Sequence, residues 1–345
     1  MDIVVMKFGG TSVRDQATKY QAFKHIRREV DANYKVLVVV SAMGRGGEPY
    51  ATDTLKELLT YHVSKQEHDR LLACGEIISS IVMSDFLQQQ GLNVTSLAPA
   101  EVGIKTDNNY SNANIMTVET NKIMSMFNQH DVLVVPGFVG TTVEGYITTL
   151  GRGGSDTSAV ALGGALNAVY VDIYSDVEGV MTADPKLVKN ARVLEKISYD
   201  NLIALAARGA KVIHLKAIEL AKKKHVTLRL RSTSSDHIGT YVVDEEVSTL
   251  GLAYKTGYTR YELMELHHPV TCELLKKHGA YWYAKARDEE AVEQYLKEEK
   301  LDYTKNENYV RVSWMNQQQT PVELTFYVSA SNLKETLNFL HYNLI

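Results

Sequence analysis

The feature that most constrains the fold is a set of continuous apolar runs: IVVM at residues 3–6, KVLVVV at 35–40 and DVLVV at 131–135. A strand with one wet face alternates polar and apolar side chains, and these runs do not. They read as strands covered on both faces, the pattern of a parallel sheet. The stretches between them have a different period. Residues 17–31 place Tyr20, Phe23, Ile26 and Val30 on one helical face, and residues 52–61 and 67–90 also read as helices. Further strands are predicted at 93–97, 146–149, 169–174 and 226–230. Strands alternating with helices specify an α/β domain whose mostly parallel sheet is sandwiched by helices.

That pattern runs to about residue 243, where aromatic and charged residues begin to mix. The expected division is a larger domain over 1–245 and a smaller α+β domain over 246–345. In the smaller one the spacing predicts strand 251–266, helix 270–278, strand 280–286, helix 289–300, strands 310–315 and 322–329, and helix 332–342. Two domains suit 345 residues, and 45% hydrophobic side chains suffice for a full core. A net charge of −4 gives no electrostatic case for nucleic acid or an anionic membrane. The two cysteines, Cys74 and Cys272, have neither zinc nor disulfide spacing, which suits a reducing compartment. The apolar run at the start is too short for a signal peptide or a membrane span. The expectation is a soluble cytoplasmic protein.

Two glycine-rich turns follow strands. KFGGTS at 7–12 puts Gly9 and Gly10 at a strand end, where free N–H groups can cradle phosphate oxygens, with Lys7 as a neighbouring cation. A tight turn beside a solvated lysine is the plainer alternative. LGRGGSDTS at 150–158 opens a helix of small residues. Its unpaired N–H groups and the positive end of the helix dipole suit an anion, and the Arg152 guanidinium can grip a carboxylate. Asp156 also serves adequately as a plain helix cap. Neither turn is a Walker loop or a dinucleotide fingerprint.

Ser175 and Asp176 sit just past a strand end, where ligands bind open α/β sheets. Asp184 opens an Asp-Pro turn followed by Lys186, and Lys211 stands behind Gly209 and Ala210. Glu76 lies in an apolar helical stretch, where a buried carboxylate needs a partner. An internal salt bridge would satisfy it equally. His267 and His268 read as surface residues, and Cys74 as a small buried hydrophobe.

Taken in order, KFGGTSV, SAMG at 41–44, CGE at 74–76, GF at 137–138, TTLGRGGSD, SDVEGVMTADP and GAKVIH resemble the aspartokinases of the amino acid kinase fold, over roughly residues 1–243. The resemblance implies phosphoryl transfer from ATP, with Mg²⁺, to the side-chain carboxylate of L-aspartate. Such a reaction asks a protein mainly for positioning and cations, and the nucleophile is already ionised at neutral pH. By matched position, Lys7 would stabilise the transferred phosphoryl group, helped by Gly9, Gly10 and Ser41, with Asp156 orienting the lysines. Arg152 would bind a substrate carboxylate and Glu76 its α-ammonium. Thr52, Phe138 and Ser155 would shape the aspartate pocket. Ser175, Asp176, Asp184, Lys186 and Lys211 fall on the nucleotide side. Mg²⁺ would be held chiefly by phosphates and water.

The chain departs from the family in places. Ser175 replaces the more usual Thr, and Leu215 and Lys216 stand where a proline is common, which relaxes the backbone beside Lys211. Aspartokinases usually carry two tandem ACT domains that bind lysine or threonine. Residues 246–345 leave room for one βαββαβ unit plus fragments, an ACT-like remnant expected to serve dimerisation with weak or absent feedback. Two other readings stay open: a paralogue phosphorylating a related acid, and a catalytically silent sensor of nucleotide or amino acid.

Overall fold

The structure, a computed structural model, describes the chain apart from residues 211, 246, 248, 249, 264–269, 279, 280, 300–302, 317–321 and 345. Side chains of 250, 251, 254, 314–316, 322–324 and 344 are likewise left aside. The chain divides into two compact units. One comprises Met1–Val180, Val193–Ala206 and Lys211–Glu246; the other comprises Met181–Arg192, Ala207–Ala210 and Val247–Ile345.

The first unit is built on an eight-stranded sheet. Its spatial order is Lys196–Ser198, Thr240–Val243, Leu228–Ser232, Val171–Ser175, Ile3–Phe8, Lys35–Val40, Val132–Pro136 and Val94–Ser96. Every neighbouring pair is parallel except Leu228–Ser232 with Thr240–Val243. The apolar runs at 3–6, 35–40 and 131–135 form its centre, and Val36 to Val40 are fully buried. Met6 and Phe8 pack on one face with Ile26, Val38, Met83, Leu87 and Tyr174. Lys7, between them in a strand of period two, therefore points to the opposite face.

Two helices matter most for the site. Lys65–Gln89 is capped by Ser64, whose side chain accepts from Glu67 N. It is long and apolar enough to cross a membrane by length and composition, yet half of it is buried inside the unit. Gly154–Ala165 is the small-residue helix anticipated after LGRGG. In a second, four-stranded sheet, Ile115–Val118, Ile104–Thr106, Val139–Thr141 and Ile147–Thr149, only the last strand was anticipated from the sequence, at 146–149. The others are three or four residues long, too short for any period to register.

The second unit carries a five-stranded antiparallel sheet in the order Lys276–His278, Tyr281–Lys285, Leu250–Leu263, Tyr303–Asn316 and Val322–Ser329. Helices Glu289–Glu298 and Leu333–Leu344 accompany it. The helix expected at 270–278 is absent. Residues 273 and 274 form a turn, and Lys276–His278 pairs with Tyr281–Tyr283 instead. Buried Leu275 packs with Tyr261, Ala284, Val292 and Leu296, and that tertiary contact overrides the local helical spacing. The described elements thus run strand, strand, strand, helix, strand, strand, helix, where strand, helix, strand, helix, strand, strand, helix was expected from residue 251 onward. Residues 181–192 also join this unit: Ala183 and Val188 pack with Leu252, Val310, Val312, Leu333 and Leu337. Leu252 N donates to Thr182 O at 2.8 Å.

Candidate functional site

A cavity of about 240 Å³ opens in the first unit, lined by Lys7, Ser41, Thr52, Glu76, Phe138, Gly151, Gly153, Gly154, Ser155 and Asp156. Seven side chains singled out from the sequence meet there, although they come from positions spread over 150 residues.

Lys7 comes from the central strand Ile3–Phe8, and Asp156 from the first turn of Gly154–Ala165. Their Nζ and Oδ1 atoms lie 2.7 Å apart, with both side chains only 12–13% exposed. A carboxylate in a first helical turn is favoured by the dipole, and Asp156 stands where it can anchor Lys7. Gly9 follows Lys7: a Cβ there would stand 3.6 Å from Lys7 Nζ. Gly10 admits no side chain at all, since a Cβ would fall 2.5 Å from both Ala42 O and Gly44 O. Gly44 N donates to Gly10 O at 3.0 Å, which binds the two strand-end loops together.

Ser41 ends the next strand, and its Oγ donates to Ser155 Oγ at 3.0 Å. Thr52 begins the short helix Thr52–Glu57. Phe138 has φ +64°, a left-handed conformation costly for a bulky residue. It is held from both sides: Phe138 N donates to Ser158 Oγ at 3.0 Å and Leu150 N to Phe138 O at 2.9 Å.

Glu76 projects from the middle of Lys65–Gln89 and is 2% exposed. Its Oε1 accepts from Ala42 N at 3.1 Å. Its Oε2 is buried with no hydrogen-bond partner among the described residues. Among the described residues no ion pair reaches Glu76, the alternative considered from the sequence. Burial pushes this carboxyl up to about 8, only partly opposed by the Ala42 amide. A buried carboxyl of this kind is neutral until a cation reaches its free oxygen.

The remaining candidates lie elsewhere. Arg152 is exposed and is not among the cavity-lining residues. Gly151 and Gly153 on either side have φ +74° and +70°, so the loop turns its tip outward. Ser175 ends strand Val171–Ser175, its hydroxyl turned to the Val177 backbone. Asp176 pairs with Arg45 at 2.8 Å, a surface contact that sequence reading missed. Asp184 and Lys186 belong to the 181–192 segment of the second unit, where Asp184 Oδ1 accepts from Lys186 N at 2.9 Å. Lys211 lies outside the described residues. Cys74 is exposed, against expectation, because it sits on the outer face of its helix. His267 and His268 lie outside the described residues.

Gly151 and Asp69 are the contributors that motif reading passed over. Gly151 lines the cavity. Asp69 lies seven residues before Glu76 and is fully buried, and a carboxylate in an apolar helix was the available signal.

Comparison with known proteins agrees with this architecture. The model of the amino acid kinase family matches residues 2–232. The chain belongs to the amino acid kinase family. Within that family it is 47% identical to aspartokinase 1 of Bacillus subtilis over 254 residues, 73% of this chain and 63% of that protein. It is 42% identical to the aspartokinase of Geobacillus stearothermophilus over 269 residues, 75% of this chain and 65% of the relative. The chain thus spans less than two thirds of the length of these relatives. Among solved structures, E. coli aspartokinase III in complex with lysine and aspartate superposes with a TM-score of 0.76, at 21% identity and full coverage of both chains. The same enzyme in complex with aspartate and ADP gives 0.73, covering 99% of this chain and 100% of that one. At that identity the likeness shows the fold.

Proposed function

We propose that this protein is an aspartokinase, transferring the γ-phosphoryl group of ATP to the side-chain carboxylate of L-aspartate to give 4-phospho-L-aspartate. The observation that carries this reading is one cavity holding an anchored cation, the Lys7–Asp156 pair, and a buried carboxyl with a free oxygen, Glu76. Lys7 meets the charge of the transferred phosphoryl group, with the Gly9 and Gly10 backbone and Ser41 beside it. Asp156 holds the Lys7 ammonium in place. Glu76 takes the α-ammonium of aspartate through Oε2, and Arg152 takes its α-carboxylate. For this the exposed 151–153 loop must turn toward the cavity mouth. Thr52, Phe138 and Ser155 shape the pocket. Ser175, Asp176, Asp184, Lys186 and Lys211 are assigned to the nucleotide.

Mg²⁺ neutralises phosphate charge in reactions of this class. Among the described residues no group of three or more His, Cys, Asp or Glu could cage a metal ion. Asp156, beside Lys7, is already paired with it. This donor set fits an ion carried in by the nucleotide's own phosphates and water.

The second unit is proposed as an ACT-like dimerisation region with weak or absent feedback, in a cytoplasmic enzyme of lysine or threonine biosynthesis. Isothermal titration with lysine and threonine tests the feedback claim, and micromolar binding of either overturns it.

A coupled ADP-release assay with aspartate, with glutamate and with no acid tests the activity. Turnover with aspartate alone is expected. ADP release without acid, or faster with glutamate, overturns the reading. No turnover with any acid supports a silent sensor.

A further inference from the structure

The Arg152 loop has no side chain of its own to anchor it. It is flanked by glycines and exposed at its tip, with Gly153 close against His214. Its stem is another matter. Strand Ile147–Thr149 delivers the chain to the loop, and a neighbouring turn at 109–112 lies alongside. A Cβ on Gly151 would fall 2.7 Å from Asn112 Oδ1, so the loop leans directly on that turn. Lys216 Nζ donates to the same Asn112 oxygen at 2.7 Å, and Ala113 N donates to Thr149 O at 2.9 Å.

One carboxylate holds both pieces. Asp69 is 0% exposed. Its Oδ2 accepts from Thr149 N at 2.7 Å and from Ser111 N at 2.8 Å. Its Oδ1 accepts from Thr149 Oγ1 and from Ser111 Oγ, each at 3.0 Å. The arrangement is two-fold: each residue gives an N–H to one oxygen and a hydroxyl to the other. Ser111 has φ +69°, a conformation that serine adopts only when something holds it. His68 Nδ1 is 3.7 Å from Oδ1, beyond hydrogen-bond reach. Asp69 and Glu76 are two turns apart on one helical face, so the rod that carries the ammonium-seeking carboxyl also carries the clamp on the loop stem.

We propose that Asp69 is a positioning residue that sets the Arg152 loop against the aspartate site, and so governs how tightly the substrate's α-carboxylate is held. This rests on the aspartokinase reading above. Asp69 touches no reactant; it acts through Thr149 and Ser111. An isosteric amide cannot reproduce it, because its nitrogen would face two donors.

The test is kinetics on the full chain with a structural readout alongside. Asp69→Asn is expected to raise the aspartate KM about tenfold or more, with the ATP KM and kcat within about twofold. Amide exchange should quicken at 149–154. Combined with Arg152→Ala, it should raise KM no further than Arg152→Ala alone. Thr149→Val and Ser111→Ala each remove one hydroxyl and keep the clamp. They should give smaller rises in the same parameter, and they carry the test if Asp69→Asn does not fold. Lowered thermal stability with an unchanged aspartate KM overturns the proposal, as does an effect additive with that of Arg152→Ala. If the wild type neither turns over nor binds aspartate, the functional reading falls. The exchange rates at 149–154 then still decide whether Asp69 orders the loop, and unchanged rates overturn that part.

Discussion

Asp69 and Glu76 stand seven residues apart on one helix, both buried, and their carboxyl groups are satisfied in opposite ways. Asp69 accepts four hydrogen bonds. Glu76 accepts one, from Ala42 N, and keeps Oε2 free. A carboxylate with four donors is stable as an anion inside a protein; one with a single donor is not. The helix therefore carries one carboxyl with its acceptors filled and one whose free oxygen waits for a ligand.

On the proposed function, Glu76 should give aspartate binding a pH dependence. With its carboxyl pushed up to about 8, the free site is mostly protonated at neutral pH, and an arriving ammonium must displace that proton. The aspartate KM is expected to fall about tenfold per pH unit between roughly pH 6 and 8 and then level off. Glu76→Gln should bind aspartate about 100-fold more weakly and lose this slope. Calorimetry in buffers of different ionisation enthalpy should count about one proton released near pH 7 by the wild type and none by the variant.

The same group affects stability. A carboxyl whose folded value lies above its unfolded one binds more protons in the folded state, so its contribution is full below pH 4.5 and is lost as pH rises toward 8. Ligand-free protein should melt progressively lower across that window. Glu76→Gln should melt above the wild type at pH 8.5 and close to it at pH 4.5. A variant that tracks the wild type at both values would show that Glu76 stays charged in the fold.

Removing the Lys7 ammonium should strike the chemical step. Lys7→Ala is expected to lower kcat about 100- to 1,000-fold, the usual loss when one preorganised donor to transition-state charge is deleted. Asp156→Asn keeps the lysine and loosens its hold, so a smaller fall is expected. Single-turnover rates with saturating ATP and aspartate separate this from binding.

Arg152→Ala should raise the aspartate KM about 30- to 100-fold, in line with a charge-assisted pair of roughly 2–3 kcal/mol. Nucleotide affinity should be spared. Equal loss of both affinities would place Arg152 with the phosphates.

Gly10 is also a packing constraint. A Cβ there meets two backbone carbonyl oxygens, neither of which can swing aside as a side chain could. Gly10→Ala should cost about 2–4 kcal/mol in chemical denaturation, and more than Gly91→Ala, where φ is positive but a Cβ meets nothing within 4 Å.

Much of this molecule was legible in its residues. The runs at 3–6, 35–40 and 131–135 had to be strands buried on both faces, because nothing else hides so many adjacent β-branched side chains. LGRGGSDTS had to open a helix, and Lys7 had to leave the core face of its strand. These are local consequences of spacing and side-chain shape. Other features depend on what approaches through space, which one sequence does not encode locally. Three strands of the small sheet are too short to show a period. Leu275 draws residues 276–278 into a hairpin against their helical spacing. Residues 181–192 join the second unit because Ala183 and Val188 find their apolar partners there. Above all, Asp69 and Glu76 look alike in the sequence. Ser111 and Thr149 converge on one of them, while among the described residues the Ala42 amide alone donates to the other, so the fold makes the first a clamp and leaves the second open to a ligand.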